Sequence, residues 1–177
     1  MKYVVRSYLN CKRCGLCTTR RHIVFGRGKV PATILFVGEA PGKSEDLTGE
    51  SFVGPSGRLL NAAIDLACRM IDATIPPSYY ITNVVACRPT DSLLGDNRQP
   101  THEEAWRCNE RLQSTYADVS PKRVVLLGQI AKTYCLKSWP EATCLPHPAY
   151  LLRLGGLDSP AFTAFARDLS SVFKEVQ

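Results

Sequence analysis

The chain has 177 residues, enough for one compact domain with a real core, and 45% of them are hydrophobic. No run of about 18 apolar residues occurs, which argues against a membrane span. The formal net charge of +6 favours polyanionic partners such as DNA, RNA or anionic lipid.

The opening segment, MKYVVRSYLN, lacks a long apolar stretch and a small-residue cleavage site, so a secretory signal is not expected. An intracellular, reducing setting is the corresponding expectation. Eight cysteines are many for such a setting, and a disulfide scaffold fits poorly. Ligation of a metal or cluster by some of them fits better.

A cysteine-rich, basic stretch runs from Cys11 to Arg21. Thr33 to Val37 then reads as a short buried strand ending in the loop Gly38-Glu-Ala-Pro-Gly42. Residues 57–71 carry Leu60, Ala63, Ile64 and Ala67 at helical spacing. Tyr80 to Val85 reads as a second strand, followed by a loop from Pro89 to Pro100. Thr101 and Glu104 form a capping-box pattern that predicts a helix start. Arg123 to Leu127 reads as a third strand, followed by Gly128 and a short helix, and a fourth strand is expected before His147. Ser159-Pro160 pairs an N-cap with proline at the first helical position. Phe162, Phe165, Ala166, Leu169 and Phe173 then make an amphipathic final helix.

Strands alternating with helices predict a short, mainly parallel four-stranded sheet between helical layers, a three-layer α/β/α fold forming a single domain over 1–177. Sites in such sheets form beyond the carboxyl ends of the strands. Gly38 to Gly42, Asn83 and His147 each end or follow a strand and are expected to converge at one edge.

Cys11 and Cys14 form a tight pair, and Cys87 and Cys108 lie twenty-one positions apart. Four thiolates from two regions can enclose a tetrahedral zinc or a cubic [4Fe–4S] cluster, and spacing does not choose between them. Cys17 stands three residues beyond Cys14 and could replace it. Cys68 lies on an apolar helix and reads as a small core residue, as do Cys135 and Cys144.

Several segments carry a specific likeness. Cys11-x2-Cys14-x-Leu16-x3-Arg20 and Val24-Phe-Gly26-x-Gly28 open the series. Gly38-Glu-Ala-Pro-Gly42-x2-Glu45-Asp46 and Phe52-Val-Gly54-x2-Gly57 follow. Thr82-Asn-Val-Val85-x-Cys87-Arg-Pro89 leads to Asn97-Arg98-x-Pro100-Thr101-x-Glu103-Glu104-x3-Cys108. His147-Pro-Ala-Tyr-Leu-Leu-Arg153 closes it. In this order, over residues 11–153, the sequence resembles the family 4, iron–sulfur uracil-DNA glycosylases.

The resemblance implies the uracil-DNA glycosylase fold, base flipping, hydrolysis of the N-glycosidic bond of uracil in DNA, and a place in base-excision repair. It implies a [4Fe–4S] cluster on Cys11, Cys14, Cys87 and Cys108, with zinc as the alternative, clipping segment 11–21 to the 87–108 loop. Phe52 would stack on the uracil ring. Asn83 would read its O4 and N3–H edge. His147 would donate to O2 as charge develops there. Glu39 would position water or offset charge on the sugar, and backbone amides near Gly38, Glu39 and Ala40 would help hold the base. Tyr150, Leu151 and Leu152 would form an apolar wedge, with Arg153, Lys43 and Arg58 on flanking phosphates.

The sequence departs from the family pattern in two places. Extra residues stand around Asp91 to Asp96, and the stretch from Gly128 to His147 is short and lacks an Arg-Gly segment. Two other readings remain open on sequence: the same fold acting on a modified uracil, and a non-catalytic iron–sulfur DNA-binding module. DNA, single- or double-stranded, is the expected partner, and a monomer is expected; whether a replication or repair protein recruits the chain is open.

Overall fold

The computed structural model describes residues 7–176. The reading of the N-terminal segment falls largely on residues 1–6, outside the described residues. Five strands form one sheet: β1 (Arg27–Gly28), β2 (Ile34–Gly38), β3 (Tyr79–Asn83), β4 (Arg123–Leu127) and β5 (Thr143–Leu145), in the order β1-β3-β2-β4-β5. β2, β3, β4 and β5 are mutually parallel, and β1 pairs antiparallel with β3. The four expected strands are therefore present and parallel. The fifth, β1, escaped the sequence reading because two residues carry no side-chain period and one of them is glycine.

The central strands are buried on both faces, which explains their continuous apolar runs. Ile34, Phe36, Ile81, Val125 and Leu127 face one layer, built from α2 (Pro55–Arg69), α5 (Pro148–Arg153) and α6 (Pro160–Lys174). Leu35, Val37, Tyr80, Val124 and Leu126 face the other, built from α3 (His102–Val119) and α4 (Gln129–Cys135). A further short helix, α1 (Lys43–Thr48), follows β2. Among the described residues no helix is long and apolar enough to cross a membrane.

Local chemistry fixes the helix starts. Thr101 Oγ1 accepts from the Glu104 amide, and the Glu104 carboxylate accepts from the Thr101 amide at 2.8 Å. Ser159 Oγ accepts from the Phe162 amide, with Pro160 in the first turn. His147 precedes Pro148 and caps α5 with its own ring.

Two cysteines sit where expected, Cys68 in the α2 core layer and Cys135 buried beneath α4. Cys144 does not: it is exposed, because β5 is an edge strand with one open face.

Candidate active site

A cleft of about 500 Å³ opens beyond the carboxyl ends of β2 and β3, and residues from five separate segments line it. Glu39 and Ala40 come from the loop after β2, Phe52 from the turn before α2, Asn83 from the end of β3, and His147 from the start of α5. The convergence expected from strand order is present.

The cleft floor is packed closely. Phe52 has φ of 55°, a left-handed backbone that a bulky side chain rarely adopts and that surroundings must enforce. Gly57 makes room for that backbone: a Cβ there would overlap the Phe52 carbonyl. The Phe52 ring stands 6.0 Å from the His147 ring, centroid to centroid, at 34°. Gly38 lies behind both groups rather than in the lining. A Cβ on it would meet Asn83 Oδ1 at 2.5 Å and the Phe52 ring at 2.6 Å.

Asn83 is fully buried, yet its Oδ1 has no hydrogen-bond partner within the protein. A buried amide oxygen facing a cleft is costly unless a ligand or water satisfies it. His147 is polarised in the opposite sense. Its Nδ1 accepts from the Ala149 amide at 3.1 Å, so the neutral ring carries its proton on Nε2. Burial, helped by the charge of Arg153, lowers its pKa to about 4. Burial alone raises the Glu39 carboxyl above its ordinary range.

The wall is held by a residue that the sequence reading quoted without giving it a role. Glu45 accepts from the amides of Gly42, Val53 and Gly54 at 2.8–3.0 Å, tying the two cleft loops together. Asn97, Arg98 and Gln99 form a further part of the lining. Arg98 is paired with Glu104 and Asp91, each at 2.7 Å, and Arg88 donates to Asn97 Oδ1 and to the Gly95 carbonyl. The extra residues 91–96 are thus anchored beside the cleft. The position of Glu45 three residues after Gly42, in the first turn of a short helix, was the available signal for its clamp.

The phosphate and wedge assignments separate. Lys43, Tyr150 and Arg153 line the cleft, and Leu152 is exposed next to them. Arg58 is exposed on α2 but does not line the cleft. Leu151 corrects the expectation of a three-residue wedge: it is 1% exposed and belongs to the α2–α6 core. Consecutive residues on a helix point about 100° apart, so Tyr150, Leu151 and Leu152 cannot share one outward face.

In a second cavity, a narrow one, Cys11, Cys14, Cys87 and Cys108 line the wall; Cys17 is not part of it. The N-terminal segment is held there by Arg20, which donates to the Cys11 carbonyl and to Cys87 Sγ at 3.4 Å, and by an ion pair of Arg13 with Glu110. Burial pushes the Cys87 thiol up to about 12, opposed by Arg20, and raises Cys14 as well. Among the described residues no three His, Cys, Asp or Glu side chains converge closely enough to share one metal ion.

A three-layer α/β/α domain with a polar cleft beyond the carboxyl ends of its strands belongs to the class of α/β proteins whose sites form at that edge. The chain belongs to the uracil DNA glycosylase superfamily, whose family model matches residues 25–170. It is similar to a type-4 uracil-DNA glycosylase of Archaeoglobus fulgidus, 39% identical over 132 residues, covering 74% of this chain and 61% of the relative. A type-4 uracil-DNA glycosylase of Sulfurisphaera tokodaii is 35% identical, covering 80% and 60%. One of Thermotoga maritima is 36% identical, covering 76% and 65%. The chain spans about three fifths of the length of these curated relatives.

Proposed function

We infer that this chain is a uracil-DNA glycosylase acting in DNA repair: it hydrolyses the bond between uracil and deoxyribose, releases the base and leaves an abasic site. One observation carries the reading. Glu39, Phe52, Asn83 and His147, four chemically complementary side chains from four segments, line a single cleft.

The flipped base enters the cleft, at an unstacking cost of about a few kcal/mol in duplex DNA. Phe52 lies against the ring. The Asn83 oxygen, unpartnered within the protein, accepts from uracil N3–H while the amide nitrogen donates to O4. Cytosine, with an acceptor at N3 and a donor at C4, leaves that pair mismatched. As the C1′–N1 bond breaks, its electron pair departs with the base and negative charge gathers at O2. The neutral Nε2–H of His147 donates there. One such donor contributes on the order of 3–4 kcal/mol of transition-state stabilisation. Water adds to C1′ and loses a proton, and the uracil anion gains one. Glu39, when ionised, offsets the positive charge on the sugar and orients that water.

The four-cysteine cavity holds a [4Fe–4S] cluster in this reading. The donor set is all thiol: Cys11, Cys14, Cys87 and Cys108 line one cavity, a set of ligands that a [4Fe–4S] cluster takes. Arg20 and Arg111 donate to Cys87 and Cys108 sulfurs, opposing the negative charge of a thiolate-ligated group. When bound, the cluster would be held by Cys11, Cys14, Cys87 and Cys108 and would clip the N-terminal segment to the 87–108 stretch. DNA is the substrate.

The test is base release from a single-stranded oligonucleotide carrying one deoxyuridine, followed by alkaline cleavage at abasic sites. His147→Ala and Asn83→Ala run alongside. Uracil-dependent cleavage that falls about a hundredfold or more in both variants supports the reading. A folded, DNA-binding wild-type protein that yields no cleavage overturns uracil removal.

A further inference from the structure

Arg111 lies buried on α3 between the two sites just described. Its Nη2 donates to the Asn83 carbonyl at 2.7 Å, to the Val84 carbonyl at 2.8 Å and to Cys108 Sγ at 3.6 Å. Its Nη1 donates to Thr82 Oγ1 at 3.0 Å, and Thr82 Oγ1 in turn donates to the Phe25 carbonyl. One planar cation therefore holds the end of β3 residue by residue, while touching a cysteine of the metal cavity.

We propose that Arg111 is a positioning residue that couples the four-cysteine site to base recognition by fixing the Asn83 backbone. The physical case rests on three points. A guanidinium is planar and always charged, so its fork transmits a displacement from one acceptor to another. Nη2 has two hydrogens and three acceptors, so its bonds are shared, and a stronger acceptor at Cys108 draws on the same donors. β3 ends at Asn83, the Val84 and Val85 amides still donate to the Gly38 and Glu39 carbonyls, and the Asn83 carbonyl itself is anchored by Arg111. A thiolate bound in a cluster accepts more strongly than a thiol. Loading the cavity thus tightens the contact with Cys108 and sets the angle at which Asn83 meets the base.

The assignment rests on the glycosylase reading for one of its two readouts, and the other is independent of activity. Holo-protein is prepared as wild type, Arg111→Gln, Thr82→Val, Asn83→Ala and the two double variants that combine Asn83→Ala with Arg111→Gln or Thr82→Val. The first readout is the reduction potential of the cluster. Loss of a positive charge and an N–H···S bond makes reduction harder, so Arg111→Gln shifts the potential to more negative values and Thr82→Val leaves it in place. The second is single-turnover base release at saturating oligonucleotide. Arg111→Gln slows it about tenfold and Thr82→Val by about half that factor, with oligonucleotide Kd unchanged, and both losses vanish in the Asn83→Ala background.

A merely structural arginine gives losses that add to Asn83→Ala, and that outcome overturns the assignment. So does a folded Arg111→Gln protein with wild-type potential and rate. If Arg111→Gln does not fold, the Thr82→Val and Asn83→Ala pair carries the same additivity test. If the wild type releases no uracil, the glycosylase reading fails by itself, and an unshifted potential in Arg111→Gln would separately remove the link to Cys108.

Discussion

His147 Nδ1 accepts a hydrogen bond from the Ala149 amide, and this one bond decides which nitrogen faces the cleft with a proton. Protonating the ring would place N–H against N–H there, a second reason, beyond burial, for the imidazole to stay neutral. The group at the start of α5 therefore acts as a neutral donor across the physiological range.

The pH profile follows from two groups. Glu39 is raised above the usual carboxylate range and His147 is lowered to about 4, so base release falls on acidification first through Glu39 and then through His147. Glu39→Gln should slow release yet remove the upper part of the acid limb, leaving a limb near pH 4. Arg153→Gln, by removing a nearby positive charge, should move the His147 limb upward. The contribution of His147 to stability also has a fixed sign, and that of Glu39, raised by burial, runs the other way. The unfolded histidine binds its proton near pH 6.5 and the folded one near 4, so the unfolded state gains protons first and stability declines as pH falls between those values. Single-turnover rates and urea midpoints between pH 3.5 and 8 check both statements.

Gly38→Ala tests the cleft floor. The added methyl has nowhere to go between Asn83 Oδ1 and the Phe52 ring. Overpacking of this kind costs about 1–3 kcal/mol, so the protein should still fold, with a lower Tm. Base release should drop at least tenfold, because both groups that would grip the base move. Wild-type release would show that the floor can relax.

The helix that carries the wedge should divide by residue. Leu151→Ala should cost about 2–5 kcal/mol of stability, since it opens a cavity in the α2–α6 core. Tyr150→Ala and Leu152→Ala should leave Tm nearly unchanged. They should slow release from duplex DNA more than from single strands, where no stack must be filled. Thermal melts and paired single- and double-strand assays separate the two classes.

The cysteines should sort in the same way. Anaerobically purified protein should hold about four irons and four sulfides per chain. Cys87→Ser or Cys108→Ser should lose them, while Cys17→Ser and Cys144→Ser, outside the cavity, should keep the full complement. Zinc without iron in the freshly isolated protein would contradict the cluster.

Elements with local signals were legible in the sequence. Thr101 and Ser159 announce their helices because capping is a contact within four residues. The strand Arg123–Leu127 reads directly, since both of its faces are buried and its apolar run is unbroken. α1 was not legible: six residues after a Pro-Gly loop carry no period, and Glu45 secures them through amides eight and nine residues away as well as a nearby one. Leu151 was misplaced because a short motif read as a linear string hides the helical turn beneath it. The bonds between Arg111 and β3 join residues nearly thirty apart, and no local pattern encodes them.

The Glu45 carboxylate binds three amides drawn from both sides of the cleft mouth, one on the loop after β2 and two on the turn before α2. Two walls pinned to a common post cannot swing independently. The spacing of those two walls is set by the protein itself, so in the proposed reaction recognition works like a gauge rather than a jaw. Rearrangement on binding then falls on the nucleic acid, which must rotate a base to meet a slot already cut to size. Lesions that leave the helix easily gain most from such a design, and ordinary paired bases gain least.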